Sequence, residues 1–479
     1  MSDNDKDKVV SKRAYALDAL RGYAILTMVL SAMVAERVLP GWMYHTQTPP
    51  PDHVYNPVLT GLTWVDLVFP FFLFAMGAAF PFSIKRKFER GMSKWTLAYD
   101  AVKRGIQLVF FAIFLQHFYP YMLDAPQNYR SWFLAILCFM VLFPMFMRIP
   151  IKMPSWAHTT IKLAAYAVAA LMMLLTKHAD GTTLNLYSSN IIILLLANMA
   201  LFASLLYIVT IHKPLVRLMV LLPLMAFMLS ATIDGSWTKI VFQYSPIGWM
   251  FHFDYLKYLF IVIPGSIAGE VLLAWMSKSS DFDKHKDEER IAWQSSILVF
   301  LTLAIIVCNL VGLYTHSYVT DLLVTLILLA IGRFTLHKTS GTGLLWKKLF
   351  TYGSYLLILG LLFEPFQGGI KKDPATFSYF FVTSGLAFMA LIFFHIVCDF
   401  YHCHRGTKFL VMSGQNPMIA YVAGDLLIMP LFNIIGVFPF IISFCGASPW
   451  LGFMQGIFFT TLSVLVTMFF TKIKWFWRT

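Results

Sequence analysis

Two histidines and an aspartate stand close together early in the chain. His45 and His53 lie in segment 39–61, which holds three consecutive prolines and no Lys or Arg, and Asp66 follows at the start of an apolar run. Because proline fixes the backbone angle φ, we expect this segment to form a stiff cap. A carboxylate orients an imidazole and stabilises its protonated form, so the pattern predicts a general base at His45 or His53 that is oriented by Asp66. The alternative is a structural role, in which Asp66 complements a helix N-terminus and both histidines are interfacial loop residues.

Further ionisable residues interrupt other apolar runs. Asp18 and Arg21 are three positions apart, so on a helix they share one face and can pair. Glu270 and Asp425 lie well inside apolar runs, where a charge in a bilayer is costly and tends to mark a functional site. For the first pair the alternative is an acid at a helix start and an arginine at the cytoplasmic edge of the membrane. For Glu270 and Asp425 it is a buried, hydrogen-bonded structural acid.

Several common sites are not indicated. Segment 398–404 contains two cysteines and two histidines, but their spacing matches no zinc pattern, and we expect no metal. The five cysteines are scattered, which favours small buried hydrophobes over a disulfide framework. Phosphate-loop, dinucleotide-binding and nucleophile-elbow motifs are missing from the sequence, which argues weakly against an ATP-driven pump or a hydrolase.

The composition identifies the class of protein that must position these groups. Of the 479 residues, 58% are apolar and 13% are charged, whereas a soluble domain carries about 25% charged residues. The sequence therefore excludes a soluble enzyme, a disordered chain and a disulfide-stapled secreted module, and predicts a polytopic membrane protein. The net charge of +13 comes from clusters between apolar runs, which favours positive-inside bias over nucleic-acid binding.

The apolar runs predict an all-α transmembrane helical bundle. A helix needs about 20 residues to cross the hydrocarbon layer, and about 17 when it is short. Some runs are short or rich in proline, so we expect 11 to 14 spans. The runs begin near Leu17, Leu62, Gly105, Trp132, Ile161, Asn190, Leu215, Leu256, Ile291, Val319, Leu349, Thr376, Leu410 and Leu451.

The basic residues predict the orientation of these spans. If the N-terminus is cytoplasmic, 29 of the 37 Lys and Arg fall in cytoplasmic segments and five in segments on the outer side of the membrane. The other three lie in spans or at their ends. Both termini are therefore expected in the cytoplasm, with residues 1–13 as a tail and residues 14–479 as a single membrane domain. The first span is too long for a signal peptide, and no cleavage site follows it. The five outside residues are Arg130, Lys177, Lys239, Lys371 and Lys372.

Several segments resemble a known family of membrane acyltransferases. Residues 17–22 (Leu-Asp-Ala-Leu-Arg-Gly) and 61–77 (Gly-Leu-Thr-Trp-Val-Asp-Leu-Val-Phe-Pro and the seven that follow) resemble the opening of the heparan-α-glucosaminide N-acetyltransferase family. Residues 370–385, and 414–416 together with Tyr421, are also similar to it. The resemblance implies transfer of an acetyl group from cytoplasmic acetyl-CoA to the amine of a glucosamine at the opposite face, and it makes a homodimer and a bacterial inner-membrane location reasonable.

The resemblance also implies roles for particular residues. The family uses a histidine in the first outer loop; His45 follows Trp-Met-Tyr as in the left side of the family motif, and His53 lies nearer Gly61. Neither has the downstream tryptophan of the motif, so the identity of the base stays open between them. We expect donor binding and acceptor binding at two further sets of residues. The donor set is Asp18, Arg21, Lys85, Arg86 and Arg104, and the acceptor set is Glu270, Asn416, Tyr421 and Asp425.

A basic cytoplasmic entrance fits the phosphates of acetyl-CoA, although positive-inside bias also explains such residues. Direct transfer and an acyl-histidine intermediate both fit the histidine chemistry. Two other functions remain open. One is a secondary transporter or flippase for a sugar or lipid-linked glycan, since glycine, proline and acids interrupt the spans. The other is a relative that has lost its catalytic histidine.

Overall fold

The prediction of an all-α, multi-pass membrane protein is confirmed. The computed structural model describes residues 13–36, 38–147, 153–278 and 281–478, and it describes side chains in these ranges except at 278–290. Most of the predicted N-terminal tail, residues 1–12, lies outside the described residues. The described part is built from helices, and its β-structure is limited to two isolated bridges.

Thirteen long helices form the bundle in the described part of the chain. Eleven are long and apolar enough to cross a membrane. The helices are α1 (Tyr15–Met33), α2 (Trp64–Glu89), α3 (Lys94–His117), α4 (Tyr129–Phe146), α5 (Ser155–Leu175), α6 (Ile191–Val209), α7 (Phe253–Ser277), α8 (Ile291–Tyr314), α9 (Tyr318–Thr335), α10 (Thr342–Leu362), α11 (Phe377–Phe400), α12 (Pro417–Ile434) and α13 (Pro449–Lys472).

The span count lies at the lower end of the predicted range. The two long helices that do not qualify as candidate spans are α3 and α10, and the apolar segment Pro214–Ser230 is shorter than a full span. The run that begins near Leu410 is divided in two: the helix His404–Gln415 ends before Pro417, and α12 starts there. A proline disfavours helical backbone angles at the residue before it, which explains the break at Asn416 before Pro417.

Both described ends of the chain lie at one end of the bundle. The ring of Tyr15 lies 5.1 Å from that of His404, and the side chain of Asn416 donates a hydrogen bond to the carbonyl of Trp475 at 2.8 Å. The start of α1 and the segment after α13 therefore meet the two ends of the helix His404–Gln415. This arrangement agrees with the prediction that both termini share one side of the membrane.

Close helix packing holds α2, the helix that carries Asp66, in the centre of the bundle. A Cβ atom on Gly77 would collide with the carbonyl oxygen of Val262, and one on Gly265 would collide with that of Phe74. These glycines let α2 and α7 approach closely, as small residues do between membrane helices. On another side, Tyr379 of the buried helix α11 donates a hydrogen bond to the carbonyl of Asp66 at 3.0 Å. α2 is thus held from two sides, by α7 along its middle and by α11 at its first turn.

Candidate functional site

The structure joins His45 to Asp66 at the end of the bundle opposite the described termini. Nδ1 of His45 lies 2.8 Å from Oδ1 of Asp66. The side chain of Asp66 is only 2% exposed, whereas that of His45 is 41% exposed. A buried carboxylate therefore holds a histidine whose ring is open to the surroundings, as a general base requires.

Local hydrogen bonds fix the carboxylate before any ligand arrives. Asp66 lies in the first turn of α2, and its Oδ2 accepts from the backbone N–H of Thr63 at 3.0 Å and from the hydroxyl of Thr46 at 3.2 Å. The Thr63 hydroxyl lies 2.7 Å from the carbonyl of Tyr44, the residue before His45. An acid at this helix position caps the free N–H groups, so the predicted capping role and the orienting role of Asp66 occur together.

Lys372, from a segment 327 positions later in the chain, also contacts this site. Its Nζ lies 3.0 Å from Nδ1 and 3.4 Å from Nε2 of His45, and 3.8 Å from Oδ1 of Asp66. Sequence reasoning missed Lys372. A signal was available, since it is one of five basic residues predicted outside and falls within the family-like stretch 370–385.

Backbone contacts bring the Lys372 segment to the histidine loop. The amide of Gln47 makes two hydrogen bonds with the backbone of Asp373, one of which is donated by Asp373 N at 2.9 Å. The N–H of Gly61 donates to the carbonyl of Ile370 at 2.9 Å, at a φ of +111°, which glycine adopts readily. Two loops that are distant in sequence therefore form one cap over the site.

The electrostatics of the site favour a neutral imidazole. Although its ring is partly exposed, the protein around His45 removes water from the imidazole and lowers its pKa below the ordinary value; the Lys372 ammonium lowers it further, while Asp66 opposes both effects. Burial likewise lowers the pKa of Lys372, and the charge of Asp66 opposes that change. In the neutral tautomer that donates Nδ1–H to Asp66, Nε2 carries the lone pair and can accept a proton from a ligand in place of its 3.4 Å contact with Nζ of Lys372.

The second candidate histidine has other partners. Nδ1 of His53 lies 3.2 Å from the carbonyl oxygen of Thr48, and its ring packs edge-on against Tyr44 with centroids 4.5 Å apart. Its φ is +51°, so it occupies a tight turn of the loop. Of the two histidines, the structure brings His45 to Asp66 and uses His53 to pack against the residue that precedes His45.

A large basic cavity opens at the other end of the bundle. It has a volume of about 1290 Å³, and its lining includes one acid, Asp100, whose carboxylate lies 2.9 Å from Nζ of Lys87. Nε of Arg104 is buried and has no hydrogen-bond partner in the described part of the chain. The cavity therefore carries an excess of positive charge. Its Lys and Arg residues are Lys87, Lys103, Arg104, Lys162, Lys474 and Arg478.

Only part of the residue set predicted to bind acetyl-CoA lines this cavity. Arg104 lines it, whereas Lys85 and Arg86 are outside its lining, and the Arg86 guanidinium lies over the ring of Phe82 at 5.2 Å. Sequence reasoning missed Lys162, Lys474 and Arg478, which reach the cavity from distant segments.

Asp18 and Arg21 connect α1 to its neighbours at this end. Asp18 pairs with Arg13 at 2.6 Å and with Arg21 at 3.9 Å, which confirms that the predicted pair shares a helix face. Arg21 also donates to the carbonyl of Gly414 at 3.4 Å, and its charge interacts with that of Arg104. The pair therefore supports the helix packing beside the basic cavity.

The predicted acceptor residues do not form one group. Glu270 pairs with the fully buried Arg217 at 3.0 Å, and the same guanidinium donates to the hydroxyl of Ser266 at 2.9 Å. Asn416 bonds the segment after α13 through the carbonyl of Trp475. These contacts give Glu270 and Asn416 structural partners. Tyr421 and Asp425 lie elsewhere, on α12.

A small apolar cavity lies in the interior of the bundle, between the His45 site and the basic cavity. It has a volume of about 30 Å³, and its lining includes Phe69 and Phe72 of α2, Leu108 of α3 and Tyr421 of α12. Phe69 comes one helical turn after Asp66. This cavity therefore lies inside the bundle below the His45 site.

Comparison with known families gives one match. The model of the family described as "Domain of unknown function (DUF5009)" matches residues 13–272, more than half of the chain. The chain therefore belongs to this family. No curated protein matches the chain. The matched region contains His45, Asp66 and Arg104, while Lys372 and α12 lie beyond it.

Proposed function

We propose that this member of the DUF5009 family is a membrane acyltransferase. In this proposal it moves an acetyl group from acetyl-CoA, bound in the basic cavity, to the amine of a glucosamine-type sugar at the His45 site. The observation that carries the proposal is the 2.8 Å contact between His45 Nδ1 and the buried Asp66 carboxylate. A bacterial inner-membrane location goes with it, because acetyl-CoA is supplied on the cytoplasmic side.

The basic cavity supports the donor half of the proposal. Lys and Arg bind phosphate oxygens through charge-assisted hydrogen bonds, and acetyl-CoA carries several phosphate charges. The buried, unpartnered Nε of Arg104 has a donor to offer such a ligand. Positive-inside bias alone does not require that six basic side chains from different segments line one cavity.

The length of α2 supports a reaction that spans the membrane. Asp66 lies in its first turn and Lys87 near its end. At 1.5 Å per residue these positions are roughly 30 Å apart, close to the thickness of the hydrocarbon layer. In this proposal the thioester arm passes between the two ends close to the small apolar cavity that Phe69 and Tyr421 line.

The geometry supports a proton transfer at Nε2 of His45. The amine nitrogen attacks the thioester carbonyl carbon, a C–N bond forms, and the C–S bond breaks. Nε2 accepts the amine proton and then delivers it to the departing thiolate, so that the products are an amide and a free thiol. Asp66 stabilises the imidazolium between these steps.

An acyl-histidine route uses the same atoms in two steps. Nε2 first attacks the thioester and releases the thiol, and the amine then attacks the acyl-imidazole. Incubation with radiolabelled acetyl-CoA and no acceptor, followed by denaturation in the cold near neutral pH, separates the routes, because only the second leaves label on the protein and an acyl-imidazole hydrolyses rapidly in acid. His45→Ala is the control for labelling at other positions.

The full-length protein in lipid vesicles provides the direct test. We would supply radiolabelled acetyl-CoA with glucosamine or a glucosamine-terminated oligosaccharide and measure the acetylated sugar. We expect His45→Ala to lower the rate by about 10²-fold or more, as loss of a general base does. His53→Ala, in the same loop, is the matched control and should retain activity.

Two results would contradict the proposal: no transfer by the wild type to any amino sugar, or full activity of His45→Ala. The transporter or flippase is the second candidate, because the bundle has polar features at both ends and an acid within α12. Uptake of labelled sugar into vesicles without acetyl-CoA would favour it.

A further inference from the structure

A second polar group lies inside the bundle, separate from the His45 loop and from the basic cavity. It contains three tyrosines, an asparagine and an aspartate contributed by the segment after α3, the start of α6 and the middle of α12. We call it the tyrosine–aspartate cluster. Its members are Tyr119, Tyr121, Asn190, Tyr421 and Asp425.

Hydrogen bonds and stacking organise the aromatic part of the cluster. Asn190, which caps α6, donates to the hydroxyl of Tyr119 at 3.2 Å and accepts from that of Tyr421 at 3.2 Å. The rings of Tyr119 and Tyr121 stack with centroids 5.4 Å apart and planes 13° apart. Tyr121 is 53% exposed, so the cluster reaches the protein surface at the end of the bundle where α3 ends and α6 begins.

Asp425 provides the only formal charge in the cluster. It lies four positions after Tyr421, about one turn further along α12, in the π-helical stretch Gly424–Ile428, and this placement agrees with an electrostatic interaction of its charge with Tyr119, Tyr121 and Tyr421. Within the described ranges its carboxylate makes no hydrogen bond or salt bridge. An acid in a membrane span is costly without a partner, and π-helical stretches are frequent at functional sites. This carboxylate is therefore available to an external cation.

The cluster adjoins the interior below the His45 site. Tyr421 lines the small apolar cavity together with Phe69, which lies one turn from Asp66 on α2. Gly424 packs against Met33 at the end of α1, the helix that leads into the His45 loop. A ligand that enters at Tyr121 and reaches Asp425 is thus adjacent to the apolar interior that lies between the His45 site and the basic cavity.

We propose that the tyrosine–aspartate cluster is an entry site that binds an amine-bearing sugar through its ammonium group, before the sugar moves to His45, where its amine reacts. Asp425 serves as counter-ion to the ammonium group, and the tyrosine rings contact the cation and the sugar face. This inference rests on the proposed function, whose acceptor it specifies. It differs from the sequence-based acceptor set because it includes Tyr119, Tyr121 and Asn190 and leaves Glu270 and Asn416 in structural roles.

Equilibrium binding of radiolabelled glucosamine to the purified full-length protein, without acetyl-CoA, tests the inference. We expect the wild type to bind glucosamine roughly tenfold or more tightly than N-acetylglucosamine, which lacks the cation. Asp425→Asn should remove that preference and leave the weak binding of N-acetylglucosamine unchanged. The matched control is Asp321→Asn, another buried acid in a span, whose contacts lie between α8 and α9.

A surface variant keeps the test decisive if Asp425→Asn does not fold. Tyr121→Ala removes an exposed stacking ring and should weaken glucosamine binding several-fold. Equal binding of the two sugars by the wild type, or unchanged preference in Asp425→Asn, would overturn the inference. Where Asp425→Asn does not fold, unchanged binding in Tyr121→Ala would overturn it.

The binding test and the acetyl-transfer test can fail separately, so their results distinguish the recognition site from the proposed function. Binding that depends on Asp425 without any acetyl transfer contradicts the acyltransferase and leaves the recognition site standing. Acetyl transfer that depends on His45, with glucosamine binding indifferent to Asp425, supports the enzyme and rejects this site. His45→Ala should bind glucosamine as the wild type does.

Discussion

Lys372 and His45 are 327 positions apart in sequence, yet Nζ of Lys372 lies 3.0 Å from Nδ1 of His45. Both groups face one carboxylate, that of Asp66, at 3.8 Å and 2.8 Å respectively. Two cations that share one buried acid disfavour each other's protonation. The arrangement therefore keeps the imidazole neutral without removing the group that orients it.

Replacement of Lys372 should change the pH dependence of the reaction. The pKa of His45 is lowered by burial and by Lys372, so the base is active above that lowered pKa, and activity falls as the pH drops through it. In Lys372→Met the pKa of His45 rises, and the acid limb of the kcat/KM profile should move up by roughly one pH unit. Lys371→Met is the matched control. An unmoved acid limb in Lys372→Met would show that the lysine does not tune the base.

Asp66→Asn should abolish most of the activity while the protein still folds. The amide keeps an oxygen for the N–H of Thr63, but it loses the charge that stabilises the imidazolium. We expect kcat to fall by about 10²-fold or more and the KM for the sugar to change little. Thr46→Val removes only one hydrogen-bond donor to Asp66 and should cost much less. Comparable losses in the two variants would indicate that disruption of the loop, and not loss of charge, explains the effect.

Arg104 should contribute more to donor binding than Arg86 does, although the sequence predicts both. Arg104 lines the basic cavity and has a buried, unpartnered Nε, whereas Arg86 lies over Phe82 outside the cavity lining. Arg104→Gln should raise the KM for acetyl-CoA about tenfold, through the loss of a charge-assisted contact to phosphate. Arg86→Gln should leave the KM near the wild-type value. Titration of the donor in vesicles measures both, and equal effects would argue against the cavity as the donor site.

Glu270 should matter for stability and not for the sugar. It pairs with Arg217, which is fully buried, and removal of one partner from a buried pair costs about 3–5 kcal/mol. Glu270→Gln should therefore lower the temperature of thermal unfolding in detergent, and Arg217→Met combined with Glu270→Gln should recover part of the loss. The KM for the sugar in the folded fraction should stay unchanged. A raised KM without any loss of stability would return Glu270 to the acceptor site.

Properties that depend on local composition were predictable from the sequence. The membrane class and the range of 11 to 14 spans follow from runs of apolar residues, because the hydrocarbon layer imposes a minimum length on each helix. The position of Asp66 in a first helical turn follows from the residues beside it, as does the shared face of Asp18 and Arg21. These features need no knowledge of which helices are neighbours.

The choice of partners was decided by the tertiary structure alone. His45 and His53 are nearly equivalent in sequence, and only the path of the loop, tied to the segment before α11 through Gln47 and Gly61, brings one of them to Asp66. Likewise, Arg104 and Arg478 share one cavity, while Glu270 is taken up by Arg217. Apolar pattern determines that a helix spans the membrane, but it leaves open which helices pack together. That packing, set by close contacts such as Gly77 against Val262, determines which polar side chains meet.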